Sequence, residues 1–481
     1  MAIVEQLKAR GVVAVRLTAD SRRVQPGDVF VAFPGAQVDG RNFIPQAVAR
    51  GASAVLAEAG KAVTTDPVPL IEVTGLAALS GEIAHLVYGR PSENLWLAGV
   101  TGTNGKTSVT QWIAQALGAM QHRCAVIGTL GNGFPEALDE SPNTTPDAIT
   151  LHASLAGFVA RGAQACAMEV SSIGLDQGRV NGAAFDVAVF TNLTRDHLDY
   201  HGSMEAYAAA KEKLFAVPGL EAAVLNLDDP MGVSLAAKLK GRVHVIGYAL
   251  NEVDAGLADE ILVAEDLRLD AAGVEFNLRG ARFNVPVVGR FNVSNLLAVT
   301  GALLARKERL ADIAAALRTL RPPPGRMQAL GGLRQPLVVV DYAHTPDALE
   351  KALTVLREAA TARGGKLVCV FGCGGDRDPG KRPQMGAAAA RLADRVLVTS
   401  DNPRSEDPLK VIAEIVAGMP APRRIEPDRA LAIAEAVAAA DARDVVLLAG
   451  KGHEPYQEIA GVRHPFSDLE VAQSALGGRQ P

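Results

Sequence analysis

The chain has 481 residues, with 48 Lys plus Arg against 53 Asp plus Glu and a formal net charge of −5. Its 48% hydrophobic and 21% charged content supplies enough apolar surface to offset ordering entropy, which excludes a wholly disordered chain. The mildly acidic balance and 4% aromatics exclude broad nucleic-acid or membrane-surface binding and a stacking platform for single strands.

At roughly 100–200 residues per domain, the length corresponds to about three domains. The start, MAIVEQLKAR, is amphipathic and lacks the basic flank and apolar stretch of a signal peptide. No run of about 18 uncharged apolar residues occurs, so no membrane insertion is expected. Of the four cysteines, Cys124, Cys166, Cys369 and Cys373, three sit in or beside apolar strand-like runs, as buried thiols of a reducing compartment do. Cys369 and Cys373 could form half a metal site, but no second Cys/His pair follows at ligand spacing, so structural cysteines in a cytoplasmic protein are expected.

Residues 1–90 carry short apolar runs, Val29–Phe33 and Ala54–Ala57, with the turn signal Pro26-Gly27-Asp28 before the first. A small α/β domain is expected there. Pro91 then precedes a strand at Leu95–Val100, and residues 91–322 alternate strands (Ala165–Val170, Asp186–Phe190, Ala222–Leu225) with Ala-rich helices. Arg321-Pro322-Pro323-Pro324-Gly325 is the sharpest break, because consecutive prolines stop a helix and stiffen a connection. Residues 323–481 hold four β-rich runs separated by helical stretches, the pattern of a doubly wound parallel sheet.

The run Val100-Thr101-Gly102-Thr103-Asn104-Gly105-Lys106-Thr107-Ser108 follows a strand and opens a helical segment, Ser108–Met120. Glycines let the backbone wrap closely, amides at a helix N-terminus face anionic oxygens, and Lys106 adds a point charge. The Thr107 hydroxyl is placed to ligate Mg²⁺. Valine at position 100 breaks the strict G-x-x-x-x-G-K-[ST] pattern, so this is a shorter variant of the phosphate loop. Such a loop wants a carboxylate at a neighbouring strand end. Glu169 closes Ala165-Cys166-Ala167-Met168-Glu169, and Thr191-Asn192-Leu193-Thr194-Arg195-Asp196-His197-Leu198-Asp199 follows the next strand. His197 could ligate metal, order substrate or fill a structural role.

Together TGTNGKTS, NTTP (Asn143–Pro146), MEVSSIGLDQGRV (Met168–Val180) and TNLTRDHLDYHG (Thr191–Gly202) resemble the Mur ligases, ATP-dependent amide-forming enzymes that build the peptidoglycan stem peptide in the cytoplasm. The resemblance is weakest over the first 90 residues. It implies a UDP-sugar-binding N-terminal domain (1–90), a central P-loop ATPase-like domain (91–322) and a C-terminal Rossmann-like, amino-acid-binding domain (323–481). It further implies that Gly102, Thr103, Asn104, Gly105, Lys106, Thr107 and Ser108 bind ATP phosphates. Asn143, Thr144, Thr145, Ser171, Gln177 and Arg179 would hold a UDP-N-acetylmuramoyl dipeptide, with Ser21 and Gln37 near its uridine end. Lys211 matches the lysine that such ligases carry as a carbamate; CO₂ addition turns a cation into an anion able to help bind a second Mg²⁺ beside Glu169 and His197. By its local sequence alone Lys211 is a solvated helix lysine. Asn292 and Asn295 fit the adenine-side asparagines and could equally be a helix cap and its neighbour. Asp341 would contact the ribose, and Arg326 would reach the γ-phosphate from the domain junction.

In the last block every strand ends in polar loop chemistry: Leu337–Val340 before Asp341-Tyr342-Ala343-His344, Leu367–Phe371 before Gly372–Asp378, Val396–Thr399 before Ser400–Glu406, and Val445–Leu448 before Ala449–Glu454. In a parallel sheet these loops share one edge, where open α/β sheets bind ligands. Both charge signs suit a zwitterionic amino acid. Arg404 and Arg377 can grip carboxylates, and Glu454 can receive an ammonium. The stretch Asp401-Asn402-Pro403-Arg404 resembles the segment marking meso-diaminopimelate-adding members, and Gly450 falls in the same loop set.

The expected reaction is amide synthesis in which a substrate carboxylate attacks the ATP γ-phosphate with Mg²⁺, and diaminopimelate then attacks the acyl phosphate. Positioning of three substrates replaces a protein nucleophile, and a monomer is expected. Alternatives are a lysine-adding relative or folylpolyglutamate synthase, which share the loop variant, and, in another class, a P-loop ATPase switch or a UDP-sugar binder.

Overall fold

The computed structural model describes residues 2–35, 38–61, 65–269, 273–332, 334–420 and 424–478; Gln37 lies outside them. Within them the chain folds as α/β around three main sheets. The first has four parallel strands in chain order, Leu17–Thr18, Val29–Ala32, Ala54–Glu58 and Leu70–Val73. Helix Leu76–Val87 packs on helix Ala148–Ala160 of the next unit. A Cβ on Gly81 would stand 2.1 Å from the Asn181 carbonyl oxygen, and Asn181 Nδ2 donates to the Ala78 carbonyl at 3.1 Å, so the two units meet backbone to backbone.

The second sheet has nine strands in the order Glu260–Val263, His244–Ala249, Ala222–Asn226, Val187–Phe190, Trp96–Thr101, Ala165–Glu169, Cys124–Gly128, Gly131–Phe134 and Ala137–Asp139. Its first seven strands are parallel. Both faces are covered, which is why the inner strands are continuous apolar runs rather than alternating ones. Ala98 and Val100 pack with Val109, Trp112 and Ile113 of helix Lys106–Ala119 on one face. On the other, Leu97 packs with Leu151, Leu155 and Phe158 of helix Ala148–Ala160.

Two departures from strand–helix alternation correct the sequence expectation. An antiparallel hairpin, Gly131–Phe134 with Ala137–Asp139, extends one edge. A separate three-stranded antiparallel sheet, Glu265–Leu269, Val274–Leu278 and Ala281–Val285, packs onto the helical side. One face of Val274–Leu278 is buried and the other is not, and the Phe276 and Phe283 rings stack at 4.8 Å across the ladder, the cross-strand pairing that stabilises such sheets.

The third sheet orders Gln328–Gly331, Leu337–Asp341, Val445–Ala449, Leu367–Phe371, Arg395–Val398 and Arg424–Ile425. All pairs are parallel except the first, where Gln328–Gly331 runs antiparallel; the four expected strands are mutually parallel, and this edge strand is an addition to them. The triple-proline connection is pinned to the phosphate-loop helix. Trp112 Nε1 donates to the Arg321 carbonyl at 3.0 Å, and the Arg321 amide donates to Gln115 Oε1 at 2.9 Å.

Candidate active site

Strand Trp96–Thr101 lies between Val187–Phe190 and Ala165–Glu169, so the loop leaving its C-terminal end emerges between two others. Glycine is required at both turns of that loop. A Cβ on Gly102 (φ 146°) would strike Thr191 Oγ1 at 1.9 Å, and one on Gly105 (φ 89°) would lie 2.6 Å from Asn295 Oδ1. Helix Lys106–Ala119 then begins, two residues before the expected Ser108, with its first amides turned toward the loop. Lys106 Nζ donates to the carbonyls of Gly102 and Thr103 at 2.9 and 2.8 Å. Burial lowers its pKa, opposed by the charges of Glu169 and Asp196.

Glu169 ends its strand directly beside the loop. Its carboxylate accepts from the Thr129 amide at 2.8 Å, the Thr129 hydroxyl at 3.1 Å and the Thr107 hydroxyl at 3.0 Å. Gly128 makes room for it, since a Cβ there would stand 2.3 Å from Oε1. A carboxylate beside the loop's hydroxyl is the donor set that holds Mg²⁺ together with phosphate oxygens and water, so these residues fit the ion. Lys211 and His197, the other two residues expected at the metal, line the same cavity as Thr107 and Glu169.

Lys211 is not the solvated helix lysine that its local sequence describes. It is 1% exposed, its Nζ donates to the Gly102 carbonyl at 2.9 Å, and it sits 4.2 Å from the Tyr207 ring centroid. Burial, then the positive charge of Lys106, push its pKa well below the ordinary lysine value. The amine is thereby biased toward the neutral, nucleophilic form, the form that reacts with CO₂.

His197, at φ 52°, faces Asp196 at 3.4 Å. Asp196 also meets His344 at 3.6 Å and Lys381 at 3.5 Å, both from beyond the triple proline. Burial would raise the Asp196 carboxyl, but the hydrogen bond from His344 and the charges of Lys381, His344 and His197 hold it well below the usual range. Further bridges between the two units are Arg195 to Asp378 at 2.9 Å and Asn104 Nδ2 to Asp347 at 3.0 Å.

One cavity of about 270 Å³ runs from the phosphate loop to the third sheet. It is lined by Thr103, Asn104, Gly105, Lys106, Thr107, Thr144, Glu169, Ser171, His197, Lys211 and Arg326 on one side, and by Arg377, Asp401, Asn402, Arg404, Gly450 and Glu454 on the other. All four strand-end loops contribute, because their strands are parallel and end on one edge. An adjoining cavity is lined by Ser108, Asn292, Asn295 and Asp341 together with Asn104, Gly105 and Arg326. Helix Arg290–Ala305 starts after Gly289, so Asn292 and Asn295 are interior residues, not a cap. Asn292 Nδ2 donates to the Val288 carbonyl, and Asn295 Nδ2 to Asn292 Oδ1.

Ser21, Asn143, Thr145, Gln177, Arg179 and Pro403 are outside the lining of both cavities. Ser21 donates to Gln46 in the N-terminal unit, and Asn143 and Gln177 are exposed. Thr145 lies one layer behind, with its hydroxyl 3.0 Å from the Glu169 carbonyl and from Ser171 Oγ, and Arg179 Nη1 donates to the Thr145 carbonyl at 2.9 Å. The Pro403 carbonyl would be 2.0 Å from a Cβ on Gly375, so two strand-end loops nest there.

Three family descriptions match the chain: Mur ligase family, catalytic domain, over residues 14–88; Mur ligase middle domain, over 100–303; and Mur ligase, glutamate ligase domain, over 325–452. The chain belongs to the Mur ligase family. This Mur ligase is 55% identical over 474 residues, 97% of its length and 96% of the relative's, to the UDP-N-acetylmuramoyl-L-alanyl-D-glutamate–2,6-diaminopimelate ligase of Ectopseudomonas mendocina. It is 55% identical over 468 residues to the protein of that name from Pseudomonas aeruginosa, covering 96% of this chain and 94% of that one. A solved structure of a ligase so named aligns with a TM-score of 0.68 at 39% identity, covering 96% of this chain and 95% of the other. The ADP complex of a Thermotoga maritima ligase called MurF shares the fold, with a TM-score of 0.68 at 20% identity over 98% of this chain and 99% of that one.

Several residues that line the cavity at the Mur ligase's phosphate loop were not assigned a role by sequence reasoning: Thr129, Tyr207, Tyr342, His344 and Lys381; Asp196 was read only as part of a run supplying carboxylates. Beneath it, fully buried Lys451 donates to Asn402 Oδ1 at 2.9 Å and to Glu454 at 3.0 Å. Lys451 and His344 stand within the strand-end loops already singled out, so position after a strand was the available signal. Thr129 and Tyr207 carry none.

Proposed function

We propose that this Mur ligase couples ATP cleavage to amide formation between the D-glutamyl carboxylate of UDP-N-acetylmuramoyl-L-alanyl-D-glutamate and an amine of meso-diaminopimelate, in cytoplasmic peptidoglycan precursor synthesis. The observation that carries the reading is the single cavity joining the phosphate loop to the zwitterion-matched edge of the third sheet. The names of relatives more than half identical over nearly the whole chain support the choice of substrates.

In this reading Lys106 and the first amides of helix Lys106–Ala119 hold the β- and γ-phosphates, and the adenosine enters the cavity of Asn292, Asn295 and Asp341. The substrate carboxylate attacks the γ-phosphorus in line, the bond to the β-phosphate oxygen breaks, and ADP leaves. Arg326 faces the charge that develops. The amine then attacks the acyl carbon, and inorganic phosphate departs with the C–O electron pair. Thr107 and Glu169 would hold Mg²⁺, with carbamylated Lys211 and His197 helping to hold a second ion, and the metal would neutralise charge on the phosphates. Lys211, as its carbamate, and His197 present an anion and a neutral imidazole on the substrate side. Arg404 and Arg377 take the carboxylates of diaminopimelate, Asn402 and Glu454 its ammonium side, with Asp401 and Gly450 shaping the floor.

Thr144 and Ser171 meet the muramoyl dipeptide within the cavity, while Ser21, Asn143, Thr145, Gln177 and Arg179 serve its longer nucleotide-sugar portion and support. The domain boundaries proposed are 1–90, 91–322 and 323–481, and the working unit is a monomer. A coupled ADP-release assay tests the function. Release is expected only with both co-substrates, and faster with meso-diaminopimelate than with L-lysine; equal rates would defeat the substrate assignment, and release without either would indicate a nucleotide switch.

A further inference from the structure

Arg429 opens helix Arg429–Ala439, and Asp468 opens helix Asp468–Gly477. Their side chains are both 0% exposed and form a two-pronged pair, Nε to Oδ1 at 2.7 Å and Nη2 to Oδ2 at 2.6 Å. The rest of the guanidinium is spent on backbone: Nη2 donates to the Ala449 carbonyl at 3.0 Å and Nη1 to the Ser400 carbonyl at 3.3 Å. The Ala449 carbonyl ends its strand and the Ser400 carbonyl stands two residues past the end of another, and the two strands are not neighbours, since Leu367–Phe371 lies between Val445–Ala449 and Arg395–Val398. The ladder's hydrogen bonds run out at the strand ends, so they do not fix the spacing of the two loops beyond, Asp401–Arg404 on one side and Gly450–Glu454 on the other.

A fully desolvated ion pair gains little net stability over an apolar pair of the same volume. The planar fork can do what an apolar pair cannot, which is to bind one carboxylate and two separate carbonyls at fixed angles. Above it the two loops complete a polar lattice. Asn402 Nδ2 donates to Glu454 at 2.8 Å, and Gln457 Nε2 donates to Ser400 Oγ and the Asp401 carbonyl at 2.9 and 2.7 Å. Neither Arg429 nor Asp468 lines the cavity.

We propose that the Arg429–Asp468 pair is a positioning element that sets the distance between the Asn402/Arg404 loop and the Gly450/Glu454 loop, and so governs binding of the diamino acid without touching it. The proposal rests on the assignment of that rim to meso-diaminopimelate. The test is steady-state kinetics of the full chain carrying R429M together with D468L, which removes both charges so that neither is left buried alone. The variant is expected to fold with a melting temperature lowered by several degrees, because the Ser400 and Ala449 carbonyls lose a donor, and to raise KM for meso-diaminopimelate about tenfold or more, with KM for ATP changed less than about twofold.

An unchanged KM for the diamino acid in the folded variant, or an equal rise in KM for ATP, would overturn the proposal. Should the double variant not fold, R429K decides by the same split, because an ammonium keeps the charge but cannot span both carbonyls and the carboxylate. The wild type in the same assay separates the two readings: ADP release indifferent to meso-diaminopimelate would refute the site assignment itself.

Discussion

Arg326 Nη2 donates to the Thr107 hydroxyl at 3.0 Å, so a cation from beyond the triple proline rests on the first turn of the phosphate-loop helix. Its guanidinium lies 4.6 Å over the Tyr342 ring, and its buried Nε has no hydrogen-bond partner among the described residues. Under the proposed function, Arg326 would face an oxygen of the arriving substrate from that position.

Changing Arg326 to Ala should therefore lower kcat by about 10²–10³ while leaving KM for the diamino acid nearly unaltered, the signature of an interaction made mainly in the transition state. Lysine at 326 should not restore the rate, since a point charge cannot both hold Thr107 and present the second donor. A kcat within a few-fold of wild type in either variant would remove Arg326 from the reaction.

Lys211 donates to the Gly102 carbonyl from a buried position, and its depressed pKa leaves the amine open to CO₂. Lys211→Ala should lose activity by about 10² or more, and acetate or another short-chain acid should restore part of it by occupying the carbamate's place. Carbon-13 NMR of the wild type equilibrated with labelled CO₂ should show a carbamate signal that the variant lacks. Full activity of the variant without added acid would dismiss the modification.

Arg404, held at φ 51°, donates through Nη1 to the Gly375 carbonyl and lies 4.0 Å from Glu458. Its guanidinium is thus fixed at the cavity wall and has donors to spare for a carboxylate. Arg404→Ala should raise KM for meso-diaminopimelate by about 10²–10³ and narrow the preference over L-lysine, which lacks the distal carboxylate. An unaltered KM would take Arg404 out of the site.

His152 is 0% exposed at the junction of the first two units, with its ring centroid 5.2 Å from that of His85. Burial lowers it to about 4 from its ordinary 6.5, opposed by the hydrogen bond with the Asn181 carbonyl, while His85 adds to the lowering. As pH falls below 6.5 the unfolded chain takes up a proton that the folded chain refuses, so stability drops until about pH 4 and then levels. The loss from this group is at most about 1.4 kcal/mol per pH unit in that window. Urea unfolding from pH 7 to pH 4 should show a shallower decline for His152→Gln than for wild type; parallel curves would assign the acid sensitivity elsewhere.

The phosphate loop was legible because strand, glycines, Lys106-Thr107 and helix are contiguous, so turn geometry and charge are encoded within nine residues. The four strand ends were legible for a related reason: parallel topology alone puts them on one edge. The antiparallel sheet around Phe276 was not read, although Val274–Leu278 alternates apolar and polar residues; which strands pair there is set by packing on helices further along the chain. Asn292 and Asn295 had two readings locally, and the start of their helix at Arg290 removed the cap reading.

Residue order by itself determined the family, through the resemblance of its motifs, and the α/β class, the nucleotide loop and the charged rim, which arise from local periodicity and turn chemistry. Only the tertiary structure decided that Lys211 is buried against Gly102, that Gly128 opens space for the Glu169 carboxylate, and that Asp196 gathers His344 and Lys381 from another unit. Each depends on groups distant in sequence sharing a desolvated volume, and desolvation, which sets both pKa and hydrogen-bond demand, is a property of the assembled fold rather than of any segment.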